Sequence, residues 1–262
     1  MLMFKAGSPR STSAADRCAT STDVFSLLLE LAVRDGRIPK NPATGVRLPR
    51  AAKPEKRFLT PEQVHQLADA AAQYPIPEVG GQYRVLVLVL AFCGIRWGEA
   101  AALRVKRVDT FRRRLSVAES VTEVSGRLVW GTPKSHAARS VPMPRFLAEL
   151  LTELVAGKAA DDLVFTTWRG KPLRNLNFRR DVFDRAAEDA GLEGLKPHEL
   201  RHTAASVWLA SGADPKVVQR VLGHATAAMT MDLYGHMIDR NLWDAAQRLW
   251  GHHAGTASRS RA

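Results

Sequence analysis

The sequence predicts a mainly α protein carrying one small antiparallel β-sheet, an α+β fold. Three observations carry that expectation. Apolar residues recur at helical spacing in a series of stretches between Thr60 and Trp250, many with a proline at the start or a glycine at the stop. Between Val108 and Pro142 the pattern changes to short strand-like runs separated by turn residues. No internal repeat at solenoid periods organises the chain instead. With 262 residues, 45% of them hydrophobic, the chain is long enough for one large domain or two smaller ones with a real core.

Residues 1–20 are rich in Ser, Ala and Thr without a period and read as a disordered segment. From Thr22 to Val33 the pattern is helical, with Val24, Leu27, Leu28, Leu31 and Ala32 on one stripe and little nearby to bury it. Pro39, Pro42, Pro49 and Pro54, set among Lys and Arg, make the stretch up to Arg57 a stiff basic linker. Thr60-Pro61-Glu62-Gln63 combines an N-cap, a first-turn proline and a capping-box Gln, so a domain begins here. The apolar run Tyr83 to Cys93 reads as a helix buried on most sides and stopped by Gly94, before a second helix opens at Arg96-Trp97-Gly98-Glu99 and continues through Leu103. Leu115 and Val117, Leu128 to Trp130, and Val141 mark the sheet, with turns at Ser125-Gly126 and near Lys134-Ser135-His136. Helices resume at Pro144–Val155, Asn175–Ala190, Pro197–Ala210, Pro215–Leu222, Thr226–Leu233 and Asn241–Trp250. Gly251 to Ala262 reads as a flexible tail. The resulting division is 1–20 disordered, 21–56 helix and linker, 57–250 the main domain, and 251–262 tail.

Charge narrows the partner. Lys and Arg number 38 against 26 Asp and Glu, a net +12, and the pI is near 10.3. Such a balance favours a polyanion, nucleic acid above all. The longest uncharged apolar run, Val85 to Cys93, is far short of the roughly 20 residues of a membrane span, and residues 1–20 contain no signal-peptide core. A cytoplasmic, nucleoid-associated protein with no membrane contact is expected. The two cysteines, Cys18 and Cys93, match no metal or disulfide spacing.

The chemistry concentrates in His198-Glu199-Leu200-Arg201-His202-Thr203, followed by Leu222-Gly223-His224 and Asp232-Leu233-Tyr234. His198 and Arg201 lie three apart, on one face of a helix. A guanidinium grips two phosphate oxygens in a planar fork, and Arg96 and Arg201 suit that clamp. A tyrosine can attack phosphorus if one group takes its proton and another protonates the leaving oxygen. His198, Lys134 and His224 are the available proton carriers. Two arginines and a lysine already neutralise the phosphate, so neither metal nor cofactor is expected.

Those residues lie in boxes that resemble the tyrosine recombinase (phage integrase) family: Gly94-Ile95-Arg96-Trp97-Gly98-Glu99, then Thr132-Pro133-Lys134 leading to Arg139-Ser140-Val141-Pro142, then His198 to Thr203, Leu222-Gly223-His224 and Tyr234, in the family's order. The resemblance spans about Arg57 to Trp250. It implies a catalytic domain of that family, with Arg96 and Arg201 on the scissile phosphate and Lys134 as general acid. It further implies His198 as acid/base, His224 as phosphate donor and Tyr234 as nucleophile, while Glu99 and His202 orient the arginines and the helix. It implies site-specific DNA recombination through a 3′-phosphotyrosyl intermediate without ATP, and a homotetramer on two sites of double-stranded DNA. Accessory directionality or DNA-bending proteins would assist, and segment Asn241–Trp250 would contact a neighbouring protomer. Family members also carry a helical core-binding domain ahead of the catalytic one, of which only the helix from Thr22 to Arg37 and the Asn41-Pro42 linker are expected here.

Two rivals remain at this point. One is a non-catalytic, truncated DNA-binding remnant, with a relaxing activity like that of type IB topoisomerases as a mechanistic neighbour. The other is a zinc peptidase, because His198-Glu199-Leu200-Arg201-His202 is literally H-E-x-x-H. Its extended form calls for a glycine and a third histidine where Ala205 and Trp208 stand.

Overall fold

The structure, a computed structural model, describes residues 14–46, 57–133 and 138–223. The chain divides into two compact units, Met1–Glu55 and Lys56–Ala262.

In the first unit, helix α1 spans Ala14–Arg34, starting earlier than Thr22. It ends in a glycine turn: Gly36, at φ +69°, donates to the Val33 carbonyl, and Arg37 reaches back to Ala32. The Asn41 amide then donates to the Ser26 carbonyl at 3.1 Å, folding the following turn onto the helix. The stripe of Val24, Leu27, Leu28 and Leu31 is exposed.

The second unit is built around α3. Helix α2 (Pro61–Ala71) opens with the expected reciprocal cap: Gln63 N–H donates to Thr60 Oγ1, and Thr60 N–H donates to Gln63 Oε1. Helix α3 (Pro77–Cys93) is apolar on every side in its second half, from Val85 on, and that half is therefore central. Every residue from Val85 to Cys93 is buried, and α2, α4 (Trp97–Ala101), α5 (Arg145–Val155) and α8 (Pro197–Ala210) pack against it. Fully burying one such aliphatic side chain contributes about 1.5–3 kcal/mol. Phe92 and Phe146 meet edge-on at 5.3 Å and tie α3 to α5. Within this core Cys93 has its thiol pushed up to about 12 by burial, which leaves it inert as a nucleophile.

Among the described residues the strands form two sheets where one was expected. Strands β1 (Val108–Asp109), β2 (Arg114–Val117) and β5 (Arg139–Pro142) make an antiparallel sheet in the order β1-β2-β5. Among the described residues, strands β3 (Ser120–Val124) and β4 (Arg127–Gly131) pair only with each other. The reason is local: Ser125 and Gly126, at φ +49° and +76°, make a two-residue turn that closes β3 on β4. β5 then returns to β2, with Val117 opposite Arg139 and Leu115 opposite Val141. The β3–β4 hairpin is thus an insertion, held to α4 at Gly98, where a Cβ would sit 2.4 Å from the Val121 carbonyl oxygen.

Helix α4 is shorter than expected, ending at Ala101 rather than Leu103. The stretch expected as Asn175–Ala190 is α6 (Asn175–Phe178), a π-helical turn (Arg179–Phe183) and α7 (Asp184–Asp189). Helices α8 and α9 (Pro215–Leu222) have the expected bounds, since a proline opens each. Segments 226–233 and 241–250 lie outside the described residues. Among the described residues no helix is long and apolar enough to cross a membrane.

Candidate active site

Three of the expected site residues fall in described regions, and they converge. Arg96 is the residue before α4, while His198 and Arg201 lie on the first turns of α8. All three line a cleft of about 220 Å³ together with Asn175, Arg179 and Lys196. Lys134, His224 and Tyr234 lie outside the described residues.

The arginines are positioned by the C-terminal end of α9. The last carbonyls of a helix have no partner within it and form the negative end of its dipole. Here three guanidinium groups cap them in succession. Arg139 Nε donates to Val221 O at 3.0 Å, Arg201 Nη2 to Leu222 O at 2.6 Å and Arg96 Nη2 to Gly223 O at 3.0 Å. Arg201, only 4% exposed, also donates to the carbonyl of Gly94, the left-handed residue that ends α3. Arg201 and Arg96 therefore sit side by side on adjacent carbonyls, and the second of these belongs to the residue before His224.

Beneath them lies the buried carboxylate of Glu99, on α4. It accepts from the Arg96 backbone N–H at 2.8 Å and from Arg96 Nη1 at 3.2 Å. Arg139 grips both of its oxygens, at 2.9 and 2.7 Å. Burial pushes the Glu99 carboxyl up, but the paired Arg139 donors, with the Arg96 amide and guanidinium, outweigh that and hold it below its ordinary value. Helix α8 begins in the same way, with Glu199 accepting the Lys196 backbone N–H at 2.7 Å. The Glu199 carboxylate is thus engaged at the helix start, and the two imidazoles of the H-E-x-x-H stretch meet edge-on at 5.2 Å. Among the described residues no three His, Cys, Asp or Glu side chains gather in a way that could hold a metal ion.

His198 is exposed as a whole residue, yet protein atoms and two cations crowd its imidazole. Burial first, then the Arg201 and Arg96 guanidinium groups, push its imidazole below the ordinary value, with Glu199 opposing. The neutral ring, able to accept a proton, is the form favoured near neutral pH. The unfolded chain holds that proton more readily than the folded one, so stability rises with pH across this window. It is fully present above about pH 6.5 and is lost as pH falls from there toward the depressed folded value. Denaturation midpoints measured from pH 5 to 8 are expected to show a shallow decline on the acid side, and His198→Gln is expected to remove part of it. Parallel curves for the two proteins would contradict this.

The model of the phage integrase family matches residues 57–240, most of the chain and the whole of this cleft. The chain belongs to the phage integrase family. Tyrosine recombinase XerC of Mycobacterium sp. (strain KMS) is 32% identical over 235 residues, covering 88% of this chain and 74% of that protein. Tyrosine recombinase XerD of Pseudomonas aeruginosa (strain PAO1) is 30% identical over 224 residues, covering 82% of this chain and 69% of its own length. Among solved structures, the Tn1549 transposon integrase in complex with transposon right end DNA superposes with a TM-score of 0.75 at 19% identity. The match covers 92% of this chain and 81% of that one. The fold is accordingly that of a tyrosine recombinase catalytic domain, and the enzyme class is the site-specific DNA recombinases.

Within this integrase-family domain, sequence reasoning assigned no role to Arg139, Arg179 or Lys196. For Arg139 a signal existed. It stands two residues before the buried Val141 on a strand, hence on the same face, and a charge on an inward face calls for a buried partner. Arg179 opens the π-helical turn and is paired with Asp184 at 3.2 Å; its position on the cleft follows from tertiary packing.

Proposed function

We propose that this chain breaks and rejoins double-stranded DNA at specific sites through Tyr234, with residues 57–250 as the catalytic unit. The observation that carries the reading is the juxtaposition of Arg96, Arg201 and His198 on one cleft, with both guanidinium groups oriented by the end of α9.

The scissile phosphate would lie between Arg96 and Arg201, whose planar forks suit its non-bridging oxygens and the charge that builds on them. Tyr234 Oη attacks phosphorus, giving its proton to His198, and the bond from phosphorus to the 5′ oxygen breaks. Lys134 protonates that oxygen as it leaves, and His224 donates to the phosphate. The 3′-phosphotyrosyl ester keeps one phosphodiester for the one broken, so a 5′-hydroxyl from a second strand reverses the steps without ATP. No metal or cofactor enters the scheme. Exchange between two sites calls for four protomers, with directionality or DNA-bending proteins as possible assistants, acting on the nucleoid in the cytoplasm. The net charge of +12 supports a polyanionic partner of this kind.

A plasmid carrying two copies of the DNA that flanks the gene tests this. Incubation with purified protein in EDTA is expected to yield deletion or inversion products without ATP. Relaxed plasmid alone would indicate a topoisomerase-like activity. A gel shift with no strand breakage would indicate a DNA-binding remnant.

A further inference from the structure

Arg139 is placed where it cannot be an ordinary surface cation. Its side chain is 11% exposed, and its Nε, Nη1 and Nη2 are all committed, to Val221 O and to the two Glu99 oxygens. Gly223 packs directly on it: a Cβ there would lie 3.1–3.2 Å from Arg139 Nε, Cδ and Cζ. The Glu99 carboxylate has two guanidinium claimants. Arg139 holds both oxygens at 2.9 and 2.7 Å, while the Arg96 guanidinium holds one of them at 3.2 Å. A fork bound at both prongs outcompetes a single long contact.

We propose that Arg139 is a positioning residue that saturates Glu99, so that the Arg96 guanidinium stays available to the scissile phosphate instead of collapsing onto the buried carboxylate. The charges agree. Glu99, Arg96 and Arg139 together carry one net positive charge, which a phosphate can use. Without Arg139 the sum is zero, and Glu99, desolvated and without its principal partner, draws Arg96 into a closed pair. Arg139 also holds the last turn of α9 through Val221, and so fixes the Gly223 carbonyl on which Arg96 rests. The inference rests on the proposed role of Arg96 at the phosphate.

The test uses four full-length proteins: wild type, Arg139→Gln, Glu99→Gln and the Arg139→Gln/Glu99→Gln double variant. Two readouts separate the claims. Phenylglyoxal labelling of Arg96, followed by peptide mass spectrometry, reports whether its guanidinium is open, with no DNA chemistry involved. Covalent capture of a nicked duplex reports catalysis. Arg139→Gln is expected to suppress Arg96 labelling and to slow capture about 100-fold, the scale of a small misplacement of a catalytic group. Removing the Glu99 charge as well is expected to restore labelling and to recover capture to within about tenfold of wild type, the size of coupling seen between contacting residues. A merely structural role would give no such rescue.

Unchanged Arg96 labelling in Arg139→Gln, or a double variant no better than Arg139→Gln, would overturn the inference. If Arg139→Gln does not fold, the double variant, whose two amides replace the ion pair, must still label at Arg96 as wild type does, and loss of that labelling overturns the proposal. Labelling that follows the prediction in a protein whose wild type captures no DNA would sink the reading of Arg96 at a phosphate and leave the positioning role standing.

Discussion

Arg201→Ala is expected to slow DNA strand cleavage by about 10²–10³-fold, the cost of removing one preorganised donor from a developing anionic charge. It is also expected to destabilise the fold. Arg201 is 4% exposed and spans three elements: it stands on α8, donates to Gly94 at the end of α3, and donates to Leu222 at the end of α9. The alanine leaves two buried carbonyls short of a partner, at about 1–3 kcal/mol each. Arg201→Lys keeps the cation but not the two-pronged reach, so it should recover part of the stability and little of the rate. Single-turnover cleavage of a nicked duplex, run beside a urea titration, checks both effects. An alanine variant that cleaves at the wild-type rate would remove Arg201 from the phosphate.

Gly94→Ala is expected to be strongly destabilising, for a backbone reason and a packing reason together. Gly94 ends α3 at φ +61°, a conformation costing an L-residue about 1–2 kcal/mol. A Cβ there would also lie 2.5 Å from Leu222 Cδ2 and 2.9 Å from Ala204 Cβ, adding an overpacking cost of about 1–3 kcal/mol. Gly191 provides the control. Its φ of +68° is similar, but nothing lies within 4 Å of its would-be Cβ, so Gly191→Ala should show the backbone cost alone. Equal losses in the two variants would mean that contact with Leu222 and Ala204 is unimportant. Because Leu222 carries the Arg201 acceptor, Gly94→Ala should also slow cleavage in the fraction that remains folded.

Much of this arrangement was legible in the sequence because its signals are local. Thr60 and Gln63 announce a capped start, the prolines at 197 and 215 open α8 and α9, and Gly94 and Gly223 stop the helices whose ends meet at the cleft. Spacing alone put His198 and Arg201 on one helical face. The pairing of strands was less visible, because whether β5 joins β2 or β4 depends on contacts more than 20 residues apart in the chain. The π-helical turn left no mark on the apolar periodicity of 175–190. The main feature hidden from the sequence is the row of three arginines on the carbonyls of residues 221–223. A residue letter does not show a backbone oxygen at a helix end, so only the fold reveals why Arg96 and Arg201 come to lie together. The buried pairing of Glu99 with Arg139 was hidden likewise, although the inward register of Arg139 on β5 hinted at it.

In the proposed mechanism Tyr234 becomes covalently joined to DNA at a phosphate held by Arg96 and Arg201. The most direct measurement is a denaturing gel of purified protein after incubation with nicked duplexes from the DNA flanking its gene, beside Tyr234→Phe. The proposed mechanism predicts a protein–DNA band that survives SDS, maps by mass spectrometry to a 3′-phosphate ester on Tyr234, and is absent from the phenylalanine variant. A band of equal intensity in the Tyr234→Phe lane would contradict it, as would an ester mapped to any other residue.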